Sequence, residues 1–457
     1  MRAIVSSGYV AAVLALIGTN ACGAWDAPDQ NGAAVQTLTS GTPDVPTVAV
    51  ATQGLFVGLR NNATFENVRQ LGMFGREGLD LDPSNPQFVT LTFQTGGDLN
   101  YAWVPSYQND KQANLVLAAL NRVTGMSDQE KEASRGFITT VKAIDLLYVI
   151  QTSDQAGAIL DVPDDPTAPP PPIVSKTDTY ARIVQLLDQA ATHLNNGGNQ
   201  FAFRIPAASA DFNTPQTFLK FNRGIKARVD VYMSNYTQAL TDLASSFLDT
   251  NQPLTYGAYH GFSSTSGDAA NSMYDPNLRQ LFAHNSLATD AQLRADGTPD
   301  LRFTSKIRPV AQFTRYGFDV RWGFQIYNSP SAPIPIQKNE ELILLRAEAN
   351  IGLGDAAAAL PDINFIRVTS GGLQAIGQAA WAGMSADAQL EELLYQKRYS
   401  LLWEGGFRWI DLRHYGKLAQ LPKDQPGFVI FPYTRLPILE CNPRNPAPPG
   451  CTQPAGL

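Results

Sequence analysis

Apolar residues at helical spacing recur along most of this chain, and that recurrence limits its fold more than any other feature. In "DTYARIVQLLDQAATHL" (residues 178–194), Ile183, Leu186, Leu187, Ala190 and Leu194 form one stripe. Such a stripe belongs to a helix that buries one face. The same pattern predicts helices over residues 107–123, 128–150, 214–234, 235–248 and 388–405. Ser127 with Glu130 three positions on has the order of a capping box, in which each side chain satisfies a free amide at a helix start. In "NEELILLRAEANIGLGDAAAALPDINFIR" (residues 339–367), Leu342, Leu345 and Ala349 keep helical register up to Gly352 and Gly354, which stop it. Asp355 can cap a second helix, which either kinks at Pro361 or begins there. Helix, short turn and helix make an αα-hairpin.

Between these segments the chain changes character. "DVPDDPTAPPPP" (residues 161–172) reads as a stiff surface connector, because proline excludes helix. Residues 251–337 are rich in Gly, Ser, Asn, Pro and aromatics without a sustained period, and read as one long irregular segment. The expected fold is mainly α, with antiparallel helical pairs of tetratricopeptide type interrupted by that segment.

At the N-terminus, Arg2 precedes the apolar run "YVAAVLALI" and then "GTNAC". A charged start, a short apolar core and small residues predict a secretory signal over residues 1–21. The run is too short for a permanent membrane span. Cys22 after Ala21 resembles the lipobox of bacterial lipoproteins, in which the cysteine is lipidated and becomes the mature N-terminus; ordinary secretion with cleavage near Ala21 or Gly23 is the alternative. Residues 22–50 then read as a flexible, lipid-anchored tether, and 51–457 as the folded domain. Of three cysteines, a lipidated Cys22 leaves Cys441 and Cys451 to pair across "CNPRNPAPPGC", with two free thiols as the alternative.

A net charge of −7 and the lack of any basic stripe argue against nucleic acid as a partner. His193, His260, His284 and His414 show no metal-ligand spacing. No nucleophile-elbow or phosphate-cradling motif is present, so neither enzyme chemistry nor a metal or other cofactor is implied.

Several segments together resemble the SusD/RagB family of nutrient-binding lipoproteins. They are "LYQKRYSLLWEGGFRWIDLRHYGKL" (residues 394–418), the hairpin with "RAEANIGLGD" and "DINFIR", and Glu341 and Glu348 seven residues apart. "FNRGIKARVDVYMSNYTQAL", "DTYARIVQLLDQAATHL", "DVP" at 161–163 and "LPILECNPRN" complete a likeness spanning residues 103–445. The resemblance implies about four tetratricopeptide-like pairs as scaffold, roughly residues 102–250 and 338–418, with the irregular segment packed on them. It also implies a lipid-anchored protein on the outer face of the outer membrane. There it would cover a SusC-like TonB-dependent transporter and capture glycans or other nutrients.

Glu404, Arg408 and Asp411 could suggest a catalytic cluster, but four residues separate Glu404 from Arg408, the spacing of a helical ion pair. Glu341 and Glu348 share a helix face, and paired carboxylates serve glycosidases. Both sets read as structural. Binding has more support, since "LTYGAYHGF" and "FTRYGFDVRWGFQIYN" place aromatics in the irregular segment. Tyr256, Tyr259, Tyr316, Trp322 and Tyr327 are the candidate ring platforms for sugar faces; Trp103 and Tyr107 read as structural. At about 0.5–1.5 kcal/mol per ring, three platforms give weak capture, in keeping with a lid that must release its cargo. The rival readings are a protein-interaction scaffold and, third, a glycoside hydrolase.

Overall fold

The computed structural model describes residues 35–165 and 167–457. The signal segment, Cys22 and the first part of the tether lie outside the described residues. From Val35 onward the tether reading is corrected. A short helix, Val35–Thr39, precedes α1 (Val45–Leu59), and Leu38, Val48, Leu55 and Leu59 are fully buried. The physical reason is local. Asp44 caps α1 by accepting from the Thr47 amide at 2.9 Å, and Pro46 lies in the first turn, where its missing N–H costs nothing.

The scaffold is helical, as expected. α2 (Trp103–Leu120) packs on α1, and α3 (Asp128–Ser153) on α4 (Lys176–Asn195). α5 (Pro215–Tyr232) pairs with α6 (Tyr236–Ala244), and α7 (Asn339–Gly352) with α8 (Ala356–Thr369). α9 (Ala386–Ser400) and α10 (Phe407–His414) close the series against α7 and each other. α3 is buried on every side from Gly136 to Ser153, which makes it the central rod. Its capping box forms: Ser127 Oγ accepts from the Glu130 amide at 3.2 Å, and Glu130 Oε2 accepts from the Ser127 amide at 2.8 Å.

The hairpin opening at α7 has its predicted turn, with Gly354 at φ +78°. Asp355 caps α8 through the Ala358 amide at 3.1 Å, and α8 runs through Pro361 rather than starting there. The helix predicted over 388–405 ends at Ser400. Trp403 at φ +61° and Gly406 at φ +67° turn the chain before α10 begins.

The segment 251–337 is not irregular throughout. β1 (Gly78–Asp80), β3 (Leu281–Ala283), β5 (Phe318–Phe324) and β4 (Ile307–Arg315) form an antiparallel sheet in that order. β2 (Gly257–His260) pairs with β6 (Ile334–Lys338), which leads directly into α7. The strands were hidden because their alternation is brief. Only Phe318, Val320, Trp322 and Phe324 keep a period of two, after the turn at Tyr316 and Gly317. The described residues of the connector at 161–172 are free of helix, and Cys441 and Cys451 are joined by a disulfide. No described helix is long and apolar enough to cross a membrane.

Candidate functional site

Of the charged residues singled out in the sequence, Glu341, Glu348, Glu404 and Asp411 are committed to buried pairs. Arg228 grips Glu341 with two bonds of 2.6 and 2.7 Å. Lys397, itself buried, lies 2.7 Å from Glu348 and 2.6 Å from Asp411, and Tyr415 donates to the other Glu348 oxygen at 2.8 Å. Burial pushes the Asp411 carboxyl up to about 7 against the pull of Lys397. Glu404 does not pair with Arg408. The helix between them ends, and Glu404 turns to Lys338 at 2.7 Å and Lys306 at 3.1 Å. These arrangements join β6, α7, α9 and α10, and leave neither Glu341 nor Glu348 free for acid–base work.

The five candidate aromatics do not converge. Tyr256, half-buried, packs against Phe212 and Phe247 at 5.8 Å each. Tyr259, also half-buried, turns its hydroxyl back to the Thr255 carbonyl. Tyr316 occupies the first corner of the β4–β5 hairpin at φ +50°, with its hydroxyl 3.3 Å from the Asp82 carbonyl. Trp322 stands edge-on to Phe303 at 5.1 Å. Tyr327 lies in the core, 6% exposed, and donates to the Trp403 carbonyl at 2.9 Å, so it has no ring face to offer. The reason is packing: strands and turns consume aromatic faces that a loop would have left in solvent.

What the fold does build is an open cleft of about 550 Å³ between the end of α1, residues 206–208 and the chain just after β2. Gln53, Phe56 and Arg60 come from α1 and the turn that follows it; His260, Phe262 and Asp268 come from the loop-rich segment. Its walls are tied down. Ser209 Oγ donates to the Tyr259 carbonyl and accepts the Tyr259 amide, both at 2.9 Å, clamping 206–208 beside β2. Asn271 donates to the Ala332 carbonyl at 2.7 Å and fixes the opposite lip.

Arg60 is the centre of this cleft. Its Nη1 donates to the Gly261 carbonyl at 2.8 Å and lies 2.6 Å from Asp268 Oδ1, while the guanidinium sits 5.5 Å from the Phe262 ring centroid. Asp268 is carried by a turn closed from its own amide to the Thr265 carbonyl at 3.1 Å, around Gly267 at φ +89°, a conformation that suits glycine. Against the upward pull of desolvation, the Ala269 amide and Arg60 hold the Asp268 carboxyl below its usual range. His260, 3% exposed, shares its Nε2 with the Tyr148 hydroxyl at 3.3 Å, and its Nδ1 has no partner. Burial, helped by Arg60, pushes that imidazole down to about 3, so it stands neutral in the wall.

Behind His260 lies a chamber of about 20 Å³, lined by Asn67, Gln151, Arg228 and Glu404. Neither end of the Asn67 amide has a protein partner. The cleft and the chamber behind it thus combine aromatic rings, an arginine–aspartate pair and unpaired neutral polar atoms, a set suited to a polar, uncharged ligand. Sequence reasoning missed Arg60 and Gln53 because they follow a stretch read as tether. Asp44 with Pro46 two positions on has the order of an N-cap and a first-turn proline, and was the available signal.

No family model matches the chain, and no curated protein matches it either. Solved structures do match. A SusD superfamily protein from Bacteroides vulgatus aligns with a TM-score of 0.65 at 14% identity, covering 90% of this chain and all of its own. One from Bacteroides thetaiotaomicron aligns at 0.63 and 14%, covering 91% of this chain and all of its own. A laminarin-binding SusD-like protein aligns at 0.59 and 14%, covering 87% and 97%. The chain therefore has the SusD-like fold, mainly helical.

Proposed function

We propose that the protein is a non-catalytic, surface-exposed binding lipoprotein that captures a glycan, or a nutrient of similar polarity, for a SusC-like TonB-dependent outer-membrane transporter. The observation that carries this reading is the cleft around Arg60, built on a SusD-like frame, one of whose structural neighbours binds laminarin. Planar donors and acceptors beside ring carbons are what a sugar's hydroxyls and apolar face require. Cys22 after an apolar run supports the lipid anchor, and an anchored lid is the natural partner of an outer-membrane barrel. Affinity electrophoresis through gels carrying laminarin and other polysaccharides tests the reading. Gln53→Ala and Arg60→Ala should abolish retardation, and Trp322→Ala should leave it. Loss in Trp322→Ala or Tyr316→Ala with the cleft variants unaffected would move the site to the sheet. Retardation by none of the polysaccharides would remove the glycan. Cys22→Ser should shift the protein from membrane to soluble fractions.

One observation favours the scaffold reading as runner-up. A groove of about 500 Å³ beside Trp103 and Tyr107 is flanked by Val104 and Leu439, 48% and 75% exposed.

A further inference from the structure

Asn67 lies in the stretch Ala63–Gln70, which winds as a π-helix soon after α1. Helices of that width are rare and recur at functional sites. The side chain is 6% exposed, and neither Oδ1 nor Nδ2 has a protein partner. An amide carries both donors and acceptors, and burying all of them unbonded is costly. Asn67 borders the chamber of about 20 Å³ behind His260.

The central rod α3 supplies two more polar groups to the same chamber. Gln151 is 4% exposed, and its side-chain amide makes no hydrogen bond among the described residues. The Tyr148 hydroxyl meets only His260 Nε2, at 3.3 Å, which leaves it capacity for a second bond.

The charges around the chamber are already paired. Arg228 has Glu341 at 2.6 Å, and Glu404 has Lys338 at 2.7 Å and Lys306 at 3.1 Å. The His260 imidazole stands neutral. An ion therefore finds no unpaired opposite charge to repay its lost hydration. A neutral molecule does find partners. The chamber exceeds the roughly 10–15 Å³ that one water requires, and water enters small cavities when polar groups line them. It is far too small for a sugar ring.

We propose that the chamber is a binding site for a single long-lived water molecule, which bridges the amides of Asn67 and Gln151 and so ties the π-helical stretch to α3 behind the cleft. This holds whether or not the cleft takes a glycan, because every group it uses belongs to the frame.

Two measurements test it together. A crystal structure of the wild-type chain should show a density peak within hydrogen-bond distance of both amides. Magnetic relaxation dispersion of the water oxygen counts molecules that stay inside the protein for longer than it tumbles. Asn67→Leu, close in volume but apolar, should lower that count by one. Should Asn67→Leu fail to fold, Gln151→Met removes the other amide at similar side-chain length and should lower the count likewise. No peak in the wild type, or an equal count in wild type and every folded variant, overturns the proposal. A peak with the short, multiple oxygen contacts of a metal ion overturns it as well.

Discussion

Lys397 shows what single residues contribute to this frame. It is the only cation within ion-pair distance of Glu348 and of Asp411 among the described residues, and all three side chains are at most 4% exposed. Lys397→Met therefore leaves two buried carboxylates unpaired, and should cost about 3–5 kcal/mol in urea denaturation. Glu77 carries a different lesson. It is fully buried, with Oε2 accepting from the Trp403 amide at 3.2 Å and Oε1 without a partner. Burial raises its carboxyl from 4.5 to about 7, with the Trp403 amide and Arg408 opposing. Between those values the folded chain keeps a proton that the unfolded chain has released. Its stabilising contribution is therefore complete below pH 4.5 and is lost as the pH rises through about 7. Urea midpoints of wild type against Glu77→Gln should diverge by roughly 3 kcal/mol across that window, with wild type falling. A constant difference would mean that Glu77 is ionised throughout. No pattern in the sequence marks Glu77, because its burial depends on Trp403, more than three hundred residues away.

At the scale of elements, legibility followed the length of the periodic run. α3, α4 and the α7–α8 hairpin could be placed because each repeats its stripe over several turns and carries its own cap. β3 and β5 could not, being a few residues each and stabilised by neighbours distant in sequence. The β4–β5 turn was readable in principle. Tyr316 and Gly317 both have positive φ, +50° and +81°, the requirement of a two-residue hairpin loop whose second position favours glycine. Gly317→Ala should destabilise the protein by about 1–2 kcal/mol in chemical denaturation, the cost of left-handed backbone for a side-chain-bearing residue. At the C-terminus, the disulfide joins Cys441 to Cys451, ten positions on, directly after Leu439 and Glu440, which line the groove beside α2. Cys441→Ser with Cys451→Ser should cost about 3 kcal/mol by the chain-entropy scale. It should also raise amide exchange across residues 436–451, leaving α3 protected.

For the molecule as a whole, the helical scaffold and its family likeness were visible in the sequence, and the position of the proposed binding cleft was not. Aromatics in a glycine-rich stretch read as exposed because composition records abundance, not packing; Tyr327 is the plain case. The cleft joins residues 53–60 to 206–208 and 260–268, a neighbourhood that exists only after α1 docks on α2 and α3 and Ser209 clasps β2. Hydrogen–deuterium exchange with and without a retained oligosaccharide tests that surface most directly. The account predicts new protection at residues 53–60, 206–208 and 260–268, and none along β4 and β5. Protection confined to residues 313–327, with the cleft unchanged, would contradict it.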